Sequence, residues 1–474
     1  MRLRLPRPAL WLALVGLASA APLRAAEPET STLKRPESPV VVAGRNLKPF
    51  LKRSIDTIRL YAFKDGKLRP IPFQIDERTA DDQIAFEAGE DRRSDIDDGR
   101  LDANDELVFM GRDVGDRAPA GSIRLGQSDL AELIVKDPRG RGWVYLLHFA
   151  QAPPPVAQGR YVSLDFRGDE LLGWTAQRVQ AKVGPDGHAL DLRSLRFSRA
   201  TGGYGVDVID RSKLHLSASY LFLDIQRRFD EVRSSWRSYR QGPVRVVAGI
   251  QAETYLTWGR WLSTTRRSTL VIYGNRLELH SQVELPIDLE ANKPSSLRVS
   301  FDFSKAAGDV RVWSNRNPTP IRCTGLGTDP GLAKLKTSGV QWVACATPAG
   351  ALVLRLRLDA PLQKRRHRLF LRDGPTPDPP EDAIGSLGNA GFELDLAGLP
   401  SGRYEFWLSA HFLAAPLEPG GEAAALLVED APLVCEALAP TKTPPGARAP
   451  QTGAKTGEKT GAKSGEKSGE MTEK

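Results

Sequence analysis

Apolar and polar residues alternate in short runs through most of this chain, the period-two pattern of half-buried β-strands. The run Ile55–Phe63 ends at Lys64-Asp65-Gly66-Lys67, a hairpin turn signal. A second strand is expected over Leu68–Ile75, and Pro70 and Pro72 within it suit a sheet edge. Leu130–Val135 and Trp143–Phe149 flank the turn residues Asp137-Pro138-Arg139-Gly140. Beyond the stiff break Ala152-Pro153-Pro154-Pro155, strands are predicted over 213–223, 244–250, 254–258, 268–273, 277–285, 297–303, 351–358 and 404–412. Gly274-Asn275 marks a tight turn between two of them. The one good helix candidate is Glu422–Glu429. Strands do not alternate with helices, which argues against a parallel α/β sheet, and no blade-length repeat suggests a propeller. The expected fold is mainly β: an antiparallel β-sandwich of one or two packed β domains with a disordered C-terminal tail.

The ends of the chain differ from its body. Arg2, Arg4 and Arg7 precede the short apolar run Ala9–Ala18 and the small-residue site Ala18-Ser19-Ala20, which predicts a secretory signal peptide and a periplasmic or extracellular destination. No later segment is long and apolar enough to cross a membrane as a helix. From Thr452 a four-residue unit of Thr/Ser-Gly-Ala/Glu-Lys type repeats without an apolar face, so it predicts disorder. The expected layout is a signal over 1–20, an N-terminal β domain over 35–150, a larger sandwich over 160–438 and a low-complexity tail over 440–474.

Charge changes this picture at one place. The 474-residue chain carries a net +8, yet Asp76–Asp116 holds 15 Asp and Glu against 5 Arg. Carboxylates this dense repel one another unless water, arginines or a hard cation sits among them. Asp95, Asp97, Asp98, Asp102, Asn104 and Asp105 are hard oxygen donors within eleven residues, and calcium is the candidate cofactor. An EF-hand does not fit: with Gly99 at its sixth position, Ile96 falls where an oxygen ligand is needed. Ordinary turn chemistry explains Asp-Asp-Gly and Asp-Ala-Asn-Asp equally well. Arg92, Arg93 and Arg100 stand ready to neutralise part of the charge.

No nucleophile elbow, zinc-protease helix or phosphate-binding loop occurs, and the three cysteines have neither metal nor haem spacing. Neither haem nor a nucleotide is expected. In an oxidising compartment Cys323 and Cys345 would close a loop and leave Cys435 over, although other pairings are open. Asp76 and Glu77 follow a strand, where acids for glycoside cleavage are often placed. The six histidines are scattered. A basic-aromatic patch spans Arg233–Arg240, and Trp258 and Trp261 follow it. Trp236, Arg237, Tyr239, Trp258 and Trp261 suit an anionic polysaccharide: aromatic faces stack on sugar rings, and guanidinium groups fork onto uronate carboxylates. A core-filling role for the tryptophans is the plainer alternative. Nucleic acid is not the expected partner of a secreted chain.

Ile58-Arg59-Leu60-Tyr61, Ile71-Pro72-Phe73-Gln74-Ile75-Asp76-Glu77 and Asp97-Asp98-Gly99 through Asp105-Glu106-Leu107-Val108-Phe109 form one further pattern. Over residues 55–116 it resembles an N-terminal signature of secreted bacterial proteins of uncharacterised function, some associated with polysaccharide-degrading systems. The resemblance implies a β-sandwich and brings no catalytic residue with it. The functional expectation is a non-catalytic envelope or extracellular protein that binds polysaccharide or another envelope component and is stabilised by calcium. A polysaccharide lyase or hydrolase and an envelope assembly factor are the alternatives.

Overall fold

Turn chemistry sets the first hairpin. In the computed structural model Lys64 pairs with Lys67, and Asp65 and Gly66 between them have φ of 51° and 72°. Positive φ at both central residues matches the right-handed twist of the flanking strands. The prolines lie at sheet edges as expected, but the single strand expected over Leu68–Ile75 is two, Lys67–Pro70 and Phe73–Asp76, each at the edge of a different sheet, because neither proline can donate to a ladder. Asp137 pairs with Gly140 across the second hairpin, and Ile272 with Leu277 across Gly274-Asn275.

The structure describes residues 29–437 except 93–94, 96–97, 186–187, 221–222, 256–262, 377–385 and 421–432. The expected signal peptide, the helix Glu422–Glu429 and the tail lie outside the described residues. Among those described, five antiparallel sheets make up the fold, and the α-helix is a single turn, Ala360–Gln363. The chain is mainly β with sheets packed face to face.

Two large cores result. In the first, the sheet of Pro39–Ala43, Glu106–Met110 and Phe73–Asp76 packs on a five-stranded sheet centred on Gly140–His148. Val40, Leu107 and Phe109 meet Leu60, Leu133 and Val144 there, all fully or nearly fully buried. In the second, a ten-stranded sheet covers a four-stranded and another five-stranded sheet, with Trp174, Ile272 and Phe412 at its centre. Trp174 and Phe412 rings lie 5.8 Å apart. The sequence reading missed the four-stranded sheet, Val162–Arg167 through His188–Phe197, and the strands Val310–Ser314, Asn317–Cys323 and Trp342–Thr347.

Strand exchange joins the two cores. Val434–Ala437 returns to the first sandwich and pairs with Asp129–Asp137. Ala88–Gly89 leaves it and pairs with Ser238 and Tyr239 at the edge of the ten-stranded sheet. The Gln74–Glu77 corner adds a polar clasp. Gln74 Oε1 accepts hydrogen bonds from the Val244 and Arg245 amides at 2.9 and 2.8 Å, and its Nε2 donates to Asp76 Oδ1 at 2.7 Å. This needs close approach: a Cβ on Gly242 would stand 2.0 Å from Gln74 Oε1. Gly242→Ala is therefore expected to cost about 1–3 kcal/mol by overpacking, read as a lower denaturant midpoint at unchanged slope.

Candidate functional site

The acidic segment is held largely by arginines and backbone amides. Asp105 is fully buried, and its two oxygens accept the Arg78 and Asp102 amides at 3.0 and 2.8 Å. Burial pushes its carboxyl up to about 6, with the amides opposing and the Asp102 and Glu77 charges adding to the rise. Asp102 Oδ1 in turn accepts the Asn104 and Asp105 amides at 2.9 and 3.2 Å, the geometry of an Asx turn. Asn104 donates to the Thr79 carbonyl at 2.9 Å. Asp95 is buried, Asp98 is exposed, and Asp97 and Arg93 lie outside the described residues. Among the described residues no three His, Cys, Asp or Glu side chains form a metal-holding group.

The counter-charges come from far along the sequence. Asp76, 1% exposed, receives Arg245 Nε at 2.7 Å and Arg240 Nε at 3.4 Å. Arg240 also reaches Glu77 at 3.1 Å, and Arg245 and Arg78 both pair with Glu106. Asp76 and Glu77 are thus committed to buried pairing and are closed to substrate as cleavage acids.

Above this cluster the acidic segment overhangs the outer face of the ten-stranded sheet and encloses a polar cleft of about 1030 Å³. The floor follows from strand periodicity. On Arg245–Tyr255, the residues Val246, Ala248 and Ile250 enter the core while Val247, Gly249 and Gln251 face the cleft. The neighbouring strands add Arg267, Thr269, Glu278, His280 and Gln282. Gly249 keeps the floor low beneath Phe86, whose ring a Cβ would approach to 3.2 Å.

Most charges here are matched. Arg78 holds Asp82 at 2.8 Å, Arg237 pairs with Glu90 and lies 3.6 Å from Asp91, and Arg276 holds Glu278 at 3.0 Å. Arg267 differs: it is exposed, lies opposite Gln251 and Gln282 in the sheet, and its side chain forms no hydrogen bond or ion pair with any described residue. Beside it His280 meets Glu405 at 2.9 Å and stacks on Trp407, ring centroids 4.7 Å apart and 8° from parallel. Arg357 covers the same indole at 4.1 Å. Trp407 is only half-buried and extends the floor beyond the cleft.

The basic-aromatic patch divides. A β-bulge between Trp236 and Ser238 breaks the simple alternation of its strand. Trp236 and Tyr239 both pack against the core, and Tyr239 stacks on Phe166 at 5.4 Å. Arg237, at the bulge, lines the cleft. Trp258 and Trp261 lie outside the described residues. Sequence reading passed over Arg267, His280 and Trp407, because they belong to separate strands that only the register brings together.

All three cysteines are free. Cys323 and Cys345 sit on strands flanking Val310–Ser314, paired with Val310 and Val312. Two strand spacings, roughly 9–10 Å, exceed the ~7 Å Cα limit for a bridge. The expected loop closure is therefore not made, and burial pushes both thiols up in pKa.

No family model and no curated protein matches the chain. Among solved structures, an alpha-mannosidase from Enterococcus faecalis V583 is similar at a TM-score of 0.44 and 8% identity, over 88% of this chain and 46% of that one. A glycosyl hydrolase family 38 protein from Enterococcus faecalis gives a TM-score of 0.44 and 10% identity, over 86% and 47%. The chain spans about half the length of each.

Proposed function

We propose that this chain is a secreted glycan-binding protein and that the cleft over the ten-stranded sheet takes an anionic polysaccharide. The observation that carries the reading is Arg267 on the floor of a polar cleft, its guanidinium without a partner among the described residues. A guanidinium fork matches a uronate carboxylate, and Gln251 and Gln282, whose Nε2 groups donate to Glu253 and Glu405 at 3.0 and 3.2 Å, present amide oxygens that can accept from sugar hydroxyls. A cleft so rich in polar groups favours a ligand that is itself polar at every face.

Calorimetric titration with a uronate oligosaccharide and a neutral one of equal length tests this. Uronate binding should be the tighter and should weaken as salt rises. Arg267→Ala should weaken it by about tenfold or more, the loss of one charge-assisted pair. Equal affinity for the two sugars, or no effect of Arg267→Ala, overturns the reading.

The His280–Glu405 contact supports a second reading, a uronate lyase at the same site. Arg267 would neutralise the carboxylate while His280, oriented by Glu405, takes the proton from the carbon beside it. The electron pair forms the ring double bond as the glycosidic C–O bond breaks and the leaving oxygen takes a proton. Ultraviolet absorbance of the unsaturated product, lost in His280→Ala, is the expected signature. Its absence from all uronate polymers tested leaves binding alone.

A further inference from the structure

The second sandwich is not filled throughout. Where the five-stranded sheet containing Ile209–Tyr220 and Ser296–Phe303 faces the ten-stranded sheet, an apolar chamber of about 100 Å³ remains. It is not sealed from solvent. Leucines from both sheets dominate its walls, Leu214 and Leu297 on one side and Leu285 on the other, with Leu362, Leu396 and Leu399 from the connecting segments. A second apolar gap of about 20 Å³ lies next to it and shares Leu297, Leu394 and Phe406 as wall residues. The Tyr404 hydroxyl does not serve this space; it donates to the Pro400 carbonyl at 2.5 Å.

We propose that this chamber binds a linear aliphatic chain. Protein interiors are normally close-packed, and an apolar space of this size stays dry and favours an apolar guest over water. The lining is almost wholly hydrocarbon, so the buried part of the guest carries no polar group. Its walls are mostly leucines, whose several rotamers let them close around a chain of methylenes. A polar head would remain outside. Free fatty acid and the acyl chain of a phospholipid share this chemistry.

The test uses the full chain and a fluorescent polyene fatty acid, displaced by palmitate or, in a second arm, by phosphatidylglycerol vesicles. One fatty acid is expected to bind per chain, and displacement by palmitate alone or also by vesicles tells which source supplies the chain. Ala252→Leu and Ala218→Leu each push extra side chain into the chamber from opposite sheets. Each should weaken binding by about tenfold or more without lowering the melting temperature, because the new methyl groups enter empty space. Two variants guard against one that fails to fold. Absence of saturable binding, or equal binding by the wild type and a folded filled variant, overturns the proposal. The glycan titration reads the opposite face of the ten-stranded sheet, so either result stands without the other.

Discussion

Asp76→Ala is expected to cost about 3–5 kcal/mol, the penalty for leaving a buried charge without its partner. Arg245 is 6% exposed and gives Nε to Asp76 at 2.7 Å. Burial pulls its pKa down, and Tyr273, Asp76 and Glu106 more than offset that and hold it above the ordinary guanidinium range. Without the Asp76 carboxylate, Arg245 keeps Glu106 and a 3.2 Å hydrogen bond to the Tyr273 hydroxyl, while Arg240 keeps Glu77. Gln74 also loses the acceptor of its Nε2. These groups lie where the first sandwich meets the ten-stranded sheet, so the damage falls on that junction. Denaturant titration should show the midpoint falling. The double variant Asp76→Ala/Arg245→Met should lose much less than the sum of its parts, because it removes the stranded cation together with its partner. Additivity within about 0.5 kcal/mol would show that the pair is not coupled.

The same residues show what a sequence conveys and what it withholds. The dense carboxylates of Asp76–Asp116 were legible as a cluster needing counter-charge, and arginine was one of the partners expected. Which arginines answer was not legible. Arg92 and Arg100 are near in sequence, but Arg240 and Arg245 make the buried pairs, from more than 160 residues away. Gln74 likewise looks like an ordinary strand residue until its carbonyl is seen to accept two amides of a distant turn. Local turn chemistry was the more reliable guide: Lys64–Lys67 and Asp137–Gly140 are fixed by neighbours in the chain. Alternation located some strands of the ten-stranded sheet, among them Arg276–Leu285 and Gly402–Leu413 with boundaries shifted by a few residues, but not Val310–Ser314, Asn317–Cys323 or Trp342–Thr347 of the same sheet. The bulge at Trp236 was hidden because one extra residue inverts which face a side chain takes. Arg267, His280 and Trp407 form a surface only through antiparallel register, a property of the sheet and of no single segment.

Acid should destabilise the fold through His411, and Asp105 should partly conceal it. His411 is 4% exposed, and burial with Arg276 and Arg355 beside it lowers its pKa from 6.5 to about 3. Arg276 lies opposite it on one neighbouring strand and Val353 on the other. The unfolded chain therefore takes up a proton below pH 6.5 that the folded chain refuses until about pH 3. Stability is complete above 6.5 and falls as pH drops, by about 2 kcal/mol at pH 5 and toward about 5 kcal/mol near pH 3. Asp105 acts the other way. Its folded pKa of about 6 lies above its ordinary 3.8, so over that window the folded state holds a proton that the unfolded state has lost. Stability rises as pH falls through 6, by about 1.4 kcal/mol per unit. Between pH 6 and 4 the two slopes nearly cancel in the wild type. Single variants separate them. His411→Gln should be more stable at pH 5 than at pH 7 relative to wild type, by about 2 kcal/mol, and Asp105→Asn should be less stable by about 1.4 kcal/mol. Urea midpoints of all three proteins across pH 4–7 give the comparison, and parallel curves would show that neither group titrates out of line with its unfolded state.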